Sequence, residues 1–344
     1  MSSDIAMAAG KSGSLDLAAK REAGQSSAAG KGSAGTESGR VALSIDVEDW
    51  FHAANLARAV PPEAWDACEL RVERNTMRML QILDAANVRA TFFVLGWVAE
   101  RCPRLVRSIA EAGHEVACHG YGHQLVTSLG ADEFRADVSR AKHHLEDLLG
   151  APVRGYRAPS FSITDWAIPI LQEVGFEYDS SVVPTIAHDR YGKLTGMDAG
   201  RPVTLLREGF HEVSISCLRL GKRGIPWGGG GYFRLAPYAL WVQGVRAILR
   251  SGRPYVFYIH PWEIDAGQPR VSGMKPFEMF RHRINLSRCE ERFIALAGAF
   301  PWTTIGDLID EEKLRVPGGK RSAASMRTIE TLQSCLTWSP AFFC

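Results

Sequence analysis

The chain has 344 residues, of which 46% are hydrophobic and 23% are charged, and its formal net charge is +2. This composition is typical of a globular protein with one large domain or two small ones. The near balance of charge excludes a strongly basic nucleic-acid-binding surface, and no run approaches the ~18 consecutive apolar residues of a membrane span. We therefore expect no nucleic-acid partner and no membrane span.

Both ends of the chain differ in composition from its middle. Residues 1–39 are rich in Ala, Gly, Ser and Lys, contain no apolar signal-peptide core and predict a disordered tail. Residues 315–344 predict a second tail. The seven cysteines are an odd number without a C-x-x-C pair, which indicates reduced thiols rather than a disulfide framework. Together these features predict a cytoplasmic protein.

Strands and helices alternate between the tails. Short apolar runs predict strands at 40–46, 89–95, 115–118, 152–157, 176–178, 213–216, 254–259 and 302–305. Helical periodicity predicts helices at 74–86, 103–113, 132–149, 164–174, 237–250, within 277–300 and from 306. This alternation predicts a parallel sheet with helices outside it.

Two irregular segments interrupt the pattern. Residues 182–212 predict mostly loop. Residues 226–234 hold a glycine run between aromatic residues, which predicts either a flexible turn or an aromatic wall for a sugar.

Acidic residues follow the first predicted strand. Asp46, Glu48 and Asp49 occupy three of four positions, and side-chain alternation lets Asp46 and Glu48 share a face. Clustered carboxylates repel one another unless a cation or hydrogen-bond donors compensate. We interpret these residues as part of a candidate site.

Two histidines stand four residues apart at the end of the third strand, in His119-Gly120-Tyr121-Gly122-His123. Two imidazoles at a strand end can supply two nitrogens to one divalent metal. Cys118 is either a soft ligand or, as free cysteines favour, a small buried residue.

Three further reactive residues, Arg157, Asp179 and His260, each follow a later strand. Reactive groups after many successive strands favour a barrel over an open sheet with one switch point.

In this order along the chain, these residues resemble the motifs of the NodB-homology polysaccharide deacetylases, carbohydrate esterase family four. The resemblance covers about residues 41–265. It implies an α/β fold, an irregular (β/α) barrel of the NodB-homology type over residues 40–265. A C-terminal extension, residues 266–314, would pack on the barrel.

The resemblance also implies roles for the site residues. Asp46 is similar to the family's catalytic base, and Arg157 to the residue that orients it. His119 and His123 are similar to its metal-binding histidines, and His260 to its catalytic histidine.

The chain departs from the family's motifs at several positions. Val47 stands where a metal-binding Asp is usual, but Asp46-x-Glu48 resembles a branch that spaces the two acids by one residue. That branch implies Glu48 as the acidic metal ligand, with Asp49 as an alternative. Gly120 replaces a hydroxyl residue, and Ser181 follows Asp179-Ser180 where Trp is common. The Trp50-Phe51-His52 continuation and the residues after His260 resemble the exosortase-associated, exopolysaccharide-locus subfamily.

The implied function is removal of N-acetyl groups from hexosamine units of a bacterial exopolysaccharide or its precursor. A divalent metal held by two histidines and a carboxylate would polarise the amide carbonyl and lower the pKa of water towards ~7. Asp46 would then remove a proton, and His260 would protonate the leaving amine while Asp179 holds its tautomer. Zinc is the first expectation for such ligands, with cobalt, nickel and iron as alternatives.

Two other functions stay open. The same site could open small cyclic amides, as enzymes of the Asp-x-Asp branch do. A barrel that has lost its metal could instead bind an N-acetylated polysaccharide or oligosaccharide without cleaving it, and Val47 favours this reading.

Overall fold

The computed structural model describes residues 40–185, 191–197, 201–220 and 223–315. The predicted tails lie outside these residues, except for Arg315 at the end of the last helix. No helix within these ranges is both long and apolar enough to cross a bilayer.

Strands and helices alternate along most of the described chain. The strands are β1 (Val41–Val47), β2 (Thr91–Val94), β3 (Glu115–Cys118), β4 (Gly155–Tyr156), β5 (Tyr178–Asp179), β6 (Val203–Arg207), β7 (Phe210–Val213), β8 (Cys217–Leu220), β9 (Arg223–Pro226), β10 (Tyr255–Ile259) and β11 (Trp302–Thr303). The helices are α1 (Val72–Ala86), α2 (Gly96–Arg101), α3 (Pro103–Glu111), α4 (Ala131–Leu149), α5 (Ala167–Val174), α6 (Gly230–Leu235), α7 (Tyr238–Arg250), α8 (Pro276–Arg283), α9 (Leu286–Ala297) and α10 (Ile305–Arg315).

The main sheet is parallel except at one end. Its order is β10-β1-β2-β3-β4-β5-β7-β6, with β11 paired to β1, and among the described strands of this sheet only β6 runs antiparallel to its neighbour. β8 and β9 form a separate antiparallel pair. β1 lies between β10 and β2 and is buried along its whole length. A strand buried on both faces is a nearly continuous apolar run, so the polar Ser44 and Asp46 within it call for a specific reason.

The sheet curls, and an irregular segment closes the gap between β7 and β10. The chain continues from β7 to Ser216, whose N–H donates to the carbonyl of Val256 in β10 at 3.2 Å. Beside it, the N–H of Tyr258 donates to the carbonyl of Gly228 at 2.7 Å. The predicted irregular (β/α) barrel is confirmed.

Two local predictions were wrong. Part of the predicted loop 182–212 forms the hairpin β6–β7, whose turn contains Gly209 at a φ of +76°. A positive φ suits the short turns that join paired strands, and Glu208-Gly209 was the missed signal. The predicted start of α4 at residue 132 also differs: the helix begins at Ala131 and is capped by Gly130, whose N–H donates to the carboxylate of Glu133 at 2.9 Å.

The glycine run is neither a flexible turn nor an aromatic wall. Its second half begins α6, and Trp227 stacks inside the core on Trp241 with 4.8 Å between ring centroids. Gly228 passes so close to β10 that a Cβ there would overlap the carbonyl oxygen of Val256, whereas a Cβ at Gly231 would meet nothing within 4 Å. The run therefore allows this segment to seal the barrel.

These two glycines provide a matched test of the barrel seal. We expect Gly228→Ala to lower the free energy of unfolding by about 1–3 kcal/mol, because the added methyl displaces the backbone from β10. We expect Gly231→Ala to leave it unchanged or raise it by up to about 1 kcal/mol, because alanine favours the helix. Urea unfolding of both variants measures the difference, and equal stabilities would contradict the packing described.

Candidate active site

The carboxyl ends of the strands bring most of the sequence-predicted site residues to one edge of the barrel. Asp46 lies near the end of β1, His119 follows β3, Arg157 follows β4 and His260 follows β10. A cavity of about 150 Å³ opens there, and its wall includes Asp46, Glu48 and His260. This is the edge at which parallel α/β folds bind their ligands.

Glu48 and two histidines converge on one point. Nε2 of His119 lies 2.9 Å and Nε2 of His123 lies 3.0 Å from Oε1 of Glu48. One potential ligand atom from each residue lies within 4.8 Å of the other two. Nδ1 of His119 donates to the carbonyl oxygen of Arg157 at 2.8 Å, and this bond turns Nε2 of the ring towards the carboxylate.

The chemistry of these three residues fits a divalent metal. Burial opposes ionisation of Glu48, but the neighbouring His123, His260 and His119 outweigh it and hold the pKa of Glu48 well below its usual range. Two imidazole nitrogens and one carboxylate oxygen are ligands that zinc and similar ions accept. Cys118 is buried and does not join the cluster.

The loop between the two histidines is anchored by α4. The carboxylate of Asp137 accepts the N–H groups of Tyr121 at 2.8 Å and of Gly122 at 3.1 Å. Gly120 has a φ of +73°, and a Cβ there would lie 3.0 Å from the Asp137 carboxylate. This left-handed, crowded position explains the glycine. His123 has a φ of +53°, a conformation that costs a non-glycine residue about 1–3 kcal/mol.

Asp49 is not brought into the cluster. One of its carboxylate oxygens accepts the N–H of Trp50 at 2.8 Å, and the other accepts those of Arg71 at 2.7 Å and Val72 at 2.8 Å. These bonds begin the 3-10 turn that contains His52 and tie it to the start of α1. Of the two acids left open by the sequence, Glu48 lies with the histidines.

Arg157 is completely buried and joins three strands at the site. Its Nη1 donates to Oδ1 of Asp46 at 2.5 Å and to Oγ of Ser44 at 2.9 Å. Its Nε and Nη2 donate to the carbonyl and hydroxyl oxygens of Ser180, at 2.8 and 2.9 Å. Asp46 is therefore fixed in orientation. The polar residues Ser44 and Asp46 within the buried strand β1 are accounted for, because both accept hydrogen bonds from this guanidinium.

Glu263 binds the ring nitrogen of His260 that points away from the cavity. Nδ1 of His260 lies 2.9 Å from Oε2 of Glu263, whose Oε1 accepts from Nε of Arg234 at 2.8 Å. The other ring nitrogen of His260 faces the cavity, 3.9 Å from carboxylate oxygens of Asp46 and Glu48.

This setting keeps His260 protonated. Burial alone would lower the pKa of His260, but the charges of Glu48 and Glu263 outweigh it and raise the pKa to about 9. Burial opposes ionisation of Glu263 as well, but Arg234 and His260 lower its pKa to about 2. The glycine run contributes here too, because a Cβ at Gly230 would overlap the Glu263 carboxylate.

The prediction that Asp179 holds the tautomer of His260 disagrees with this geometry, because Glu263 occupies that position. Asp179 instead accepts from Oγ of Ser181 at 2.5 Å, and the same hydroxyl oxygen accepts the N–H of Ala158 at 2.8 Å. Asp179 thus supports the loop that follows Arg157.

Asp179 also faces a second buried carboxyl group, Glu212. The two residues are direct partners on the parallel strands β5 and β7, and both are fully buried. Oε1 of Glu212 accepts the N–H groups of Ser181 at 3.2 Å and Val182 at 2.8 Å. Burial, followed by the charge of Asp179, raises the pKa of Glu212 well above its usual range. Two buried carboxyl groups so close together disfavour a second negative charge, so the pair favours retention of one proton.

Sequence reasoning missed Glu263 and Glu212. The signal for Glu263 was the pattern His260-Pro261-x-Glu263. Proline favours the first position of a helical turn, and such a turn brings the side chain of Glu263 back to His260, three positions earlier. The structure confirms such a 3-10 turn over residues 261–264, with Oε2 of Glu263 accepting the N–H of His260 at 3.1 Å. Glu212 carried no comparable signal, because the strand that places it lay in a segment that predicted loop.

Comparison with protein families divides the chain at the end of β5. A family model described as polysaccharide deacetylase matches residues 64–178, and a model described as a domain of unknown function (DUF3473) matches residues 180–310. His119, His123 and Arg157 lie in the first segment. His260 lies in the second, and Asp46 precedes both.

Individual proteins match about a third of the chain. A peptidoglycan deacetylase-like protein of Gibberella zeae is 31% identical over 131 residues, 38% of this chain and 37% of the relative. A peptidoglycan-N-acetylglucosamine deacetylase of Bacillus cereus is 29% identical over 120 residues, 30% of this chain and 44% of the relative. The match thus spans less than half the length of either relative.

A solved structure extends the likeness to the whole fold. The crystal structure of a Mycobacterium smegmatis protein, provisionally described as a polysaccharide deacetylase, superposes with a TM-score of 0.54 at 23% identity. The superposition covers 81% of this chain and 92% of the other. The two proteins share their fold.

The buried carboxyl pair makes a prediction about pH. Because folding raises the pKa of Glu212 above 4.5, its stabilising contribution is complete below that pH and is lost as the pH rises towards the folded value. Glutamine mimics the protonated acid without titrating. We expect Glu212→Gln to match the wild type near pH 4.5 and to gain up to about 1.4 kcal/mol of relative stability per pH unit above it.

Urea unfolding at several pH values measures this difference. Glu111→Gln, at an exposed position of α3, is the control and should parallel the wild type. A constant difference between Glu212→Gln and the wild type from about pH 5 to pH 8 would contradict the shared proton.

Proposed function

We propose that this chain, which contains a polysaccharide deacetylase domain of the NodB-homology type, is a divalent-metal-dependent hydrolase that removes N-acetyl groups from hexosamine units of a bacterial exopolysaccharide or its precursor. The observation that carries the proposal is one cavity edge with a Glu–His–His cluster, a fixed carboxylate and an imidazole held by a second carboxylate. Hydrolysis of an unreactive amide needs these three elements together.

Glu48, His119 and His123 are the residues that would hold the metal, and we propose zinc. When bound, such an ion supplies a Lewis acid that polarises the amide carbonyl and lowers the pKa of water. Three protein ligands are typical of catalytic zinc sites, which keep further positions open.

Asp46 is the proposed general base. Arg157 and Ser44 hold its position, and Oδ1 is occupied by the guanidinium. The other oxygen faces the cavity on the side of His260, 3.9 Å from Nε2. It can therefore accept a proton from an attacking water, and the buried Arg157 offsets the charge of the carboxylate until it does.

His260 is the proposed general acid. Protonation of the departing amine requires an N–H that faces the substrate, and Nε2 provides it while Nδ1 is held by Glu263. After transfer, the remaining proton stays on Nδ1 and is donated as a hydrogen bond to Glu263, so the neutral ring keeps its tautomer and orientation. Arg234 holds Glu263 in its turn.

The substrate class rests on the resemblance and on the relatives. The matched curated proteins are named for peptidoglycan, and the assignment to an exopolysaccharide follows the likeness of the Trp50-Phe51-His52 segment to the exosortase-associated subfamily. Opening of small cyclic amides and glycan binding without cleavage are the competing outcomes of the experiments below.

Metal content tests the cluster without knowledge of the substrate. We expect the full chain, supplied with zinc and dialysed, to retain about one equivalent by elemental analysis. The His119→Ala/His123→Ala variant should retain none above background, because two of the three ligands are gone. His143→Ala, on the exposed face of α4, should behave as the wild type. A wild-type protein without metal would favour the glycan-binding reading.

Acetate release tests the reaction. We expect the zinc-loaded chain to release acetate from N-acetylglucosamine oligomers and to leave allantoin-like rings intact, whereas ring opening alone would favour the cyclic-amide reading. Asp46→Asn should lower kcat by about 10²–10⁴-fold.

A double-mutant cycle tests the role of Glu263. Glu263→Gln should lower kcat by part of the ~10²–10⁴-fold that a general acid supplies, with little change in KM. In the absence of His260 the substitution should have no further effect, because Glu263 acts through that ring. Additive losses in His260→Ala/Glu263→Gln would show instead that Glu263 acts on the fold.

A further inference from the structure

The cavity carries a positive charge that the proposed reaction does not use. Among the described residues that form its wall, Arg281 is the one arginine or lysine side chain. It lies in the last turn of α8, within the segment that the DUF3473 model matches. The acidic residues of the wall, Asp46 and Glu48, are already engaged by Arg157 and by the two cluster histidines.

Within the described ranges, Arg281 lacks the carboxylate partner that the two buried arginines of the site have. Arg157 and Arg234 each contact a carboxylate, at 2.5 and 2.8 Å. Arg281 makes no ion pair with any residue in the described part of the chain. Its guanidinium carbon lies 5.8 Å from the ring centroid of Phe277, within the range of a cation–π contact. Phe277 is 67% exposed, so this contact lies at the protein surface.

The backbone of Arg281 is nevertheless fixed relative to His260. Arg234, which binds the Glu263 carboxylate, also donates through Nη1 to the carbonyls of His282 at 3.0 Å and Ile284 at 2.7 Å. Its Nη2 donates to the carbonyl of Arg281 at 3.4 Å. One guanidinium thus positions both the proposed general acid and the end of α8 that carries Arg281.

Trp262 reinforces this connection. Its ring stacks between those of His260 and His282, with centroid distances of 5.2 and 4.8 Å. An unpaired cation on a rigid support beside a reaction site is suited to read a charged part of the substrate, because little entropy is lost when it binds.

We infer that Arg281 binds an anionic group of the substrate, so that the acetylated hexosamine is joined to a uronate carboxylate or a phosphate. The planar guanidinium forms paired hydrogen bonds with either group, whereas a neutral N-acetylhexosamine offers it only hydroxyl and amide oxygens. This inference rests on the proposed function for the position of the sugar, and it narrows the substrate to an acidic glycan or a sugar phosphate.

Equilibrium binding tests the inference independently of catalysis. The probes are chitotetraose, which is neutral, a hyaluronan tetrasaccharide, which alternates N-acetylglucosamine with glucuronate, and N-acetylglucosamine 1-phosphate. We expect zinc-loaded Asp46→Asn full chain to bind at least one anionic probe about 10–100-fold more tightly than its neutral counterpart, chitotetraose or N-acetylglucosamine. The preference should shrink as salt is raised.

Substitutions at neighbouring positions identify the residue responsible. Arg281→Gln should reduce the anionic preference at least tenfold, and Arg281→Lys should retain part of it, since charge remains but the fork is lost. Arg283→Gln is the matched control, because Arg283 lies on the same helix, does not line the cavity and bonds to the carbonyl of Gln268. Arg283→Gln should keep the preference.

The outcomes separate the two proposals. Tight uronate binding would identify an acidic polysaccharide, and tight phosphate binding would identify a sugar phosphate. Equal affinity for neutral and anionic probes, or a preference that survives Arg281→Gln, would overturn the inference even if the wild type releases acetate. An Arg281-dependent preference without acetate release would support the inference while contradicting the proposed hydrolase.

Discussion

The site depends on one buried guanidinium, that of Arg157. A charge removed completely from water is costly unless it is fully paired, and every contact of this side chain serves that need. Its partners are Asp46 and Ser44 on β1 and Ser180 after β5, while its carbonyl fixes the ring of His119. The proposed base and one proposed metal ligand are therefore oriented by a single residue. Removal of Arg157 would leave Asp46 buried and unpaired.

Most of the fold, and the residues that the strand ends bring to the site, could be predicted from local sequence. Alternating apolar runs and helical periodicity identify the barrel, because each strand is a short buried segment followed by a helix. The strand ends then place Asp46, His119, Arg157 and His260 together, because parallel strands share one carboxyl edge. The pairing of two histidines with an acid also follows from their types and spacing.

The remaining contacts depend on tertiary geometry that sequence spacing does not encode. Asp179 and Glu263 are both acids near the end of a strand. The local 3-10 turn signalled by His260-Pro261-x-Glu263 brings Glu263 to His260, but the place of Asp179 beside Ser181 and Glu212 depends on the pairing of β5 with β7. Glu48 and Asp49 are adjacent, and the choice between them depends on a backbone turn that directs Asp49 to the N–H groups of α1. Arg281 lies on a helix, and strand pairing does not fix the position of a helix as it fixes the strand ends. Its place at the cavity therefore had no sequence signal.

The position of β1 has a consequence for how the protein is made. β1 is the first strand of the described residues, yet it pairs with β10, which lies more than two hundred positions later, as Ile45 opposite Ile259 shows. Contacts so distant in sequence form late and slowly, since the loop between them must close first. While the chain emerges from the ribosome, β1 has β2 on one side and an unpaired edge on the other. The two family segments meet in the sequence, but they form one continuous sheet and are not separate folding units. A chain shortened before β10 would leave the edge of β1 unpaired and prone to aggregation.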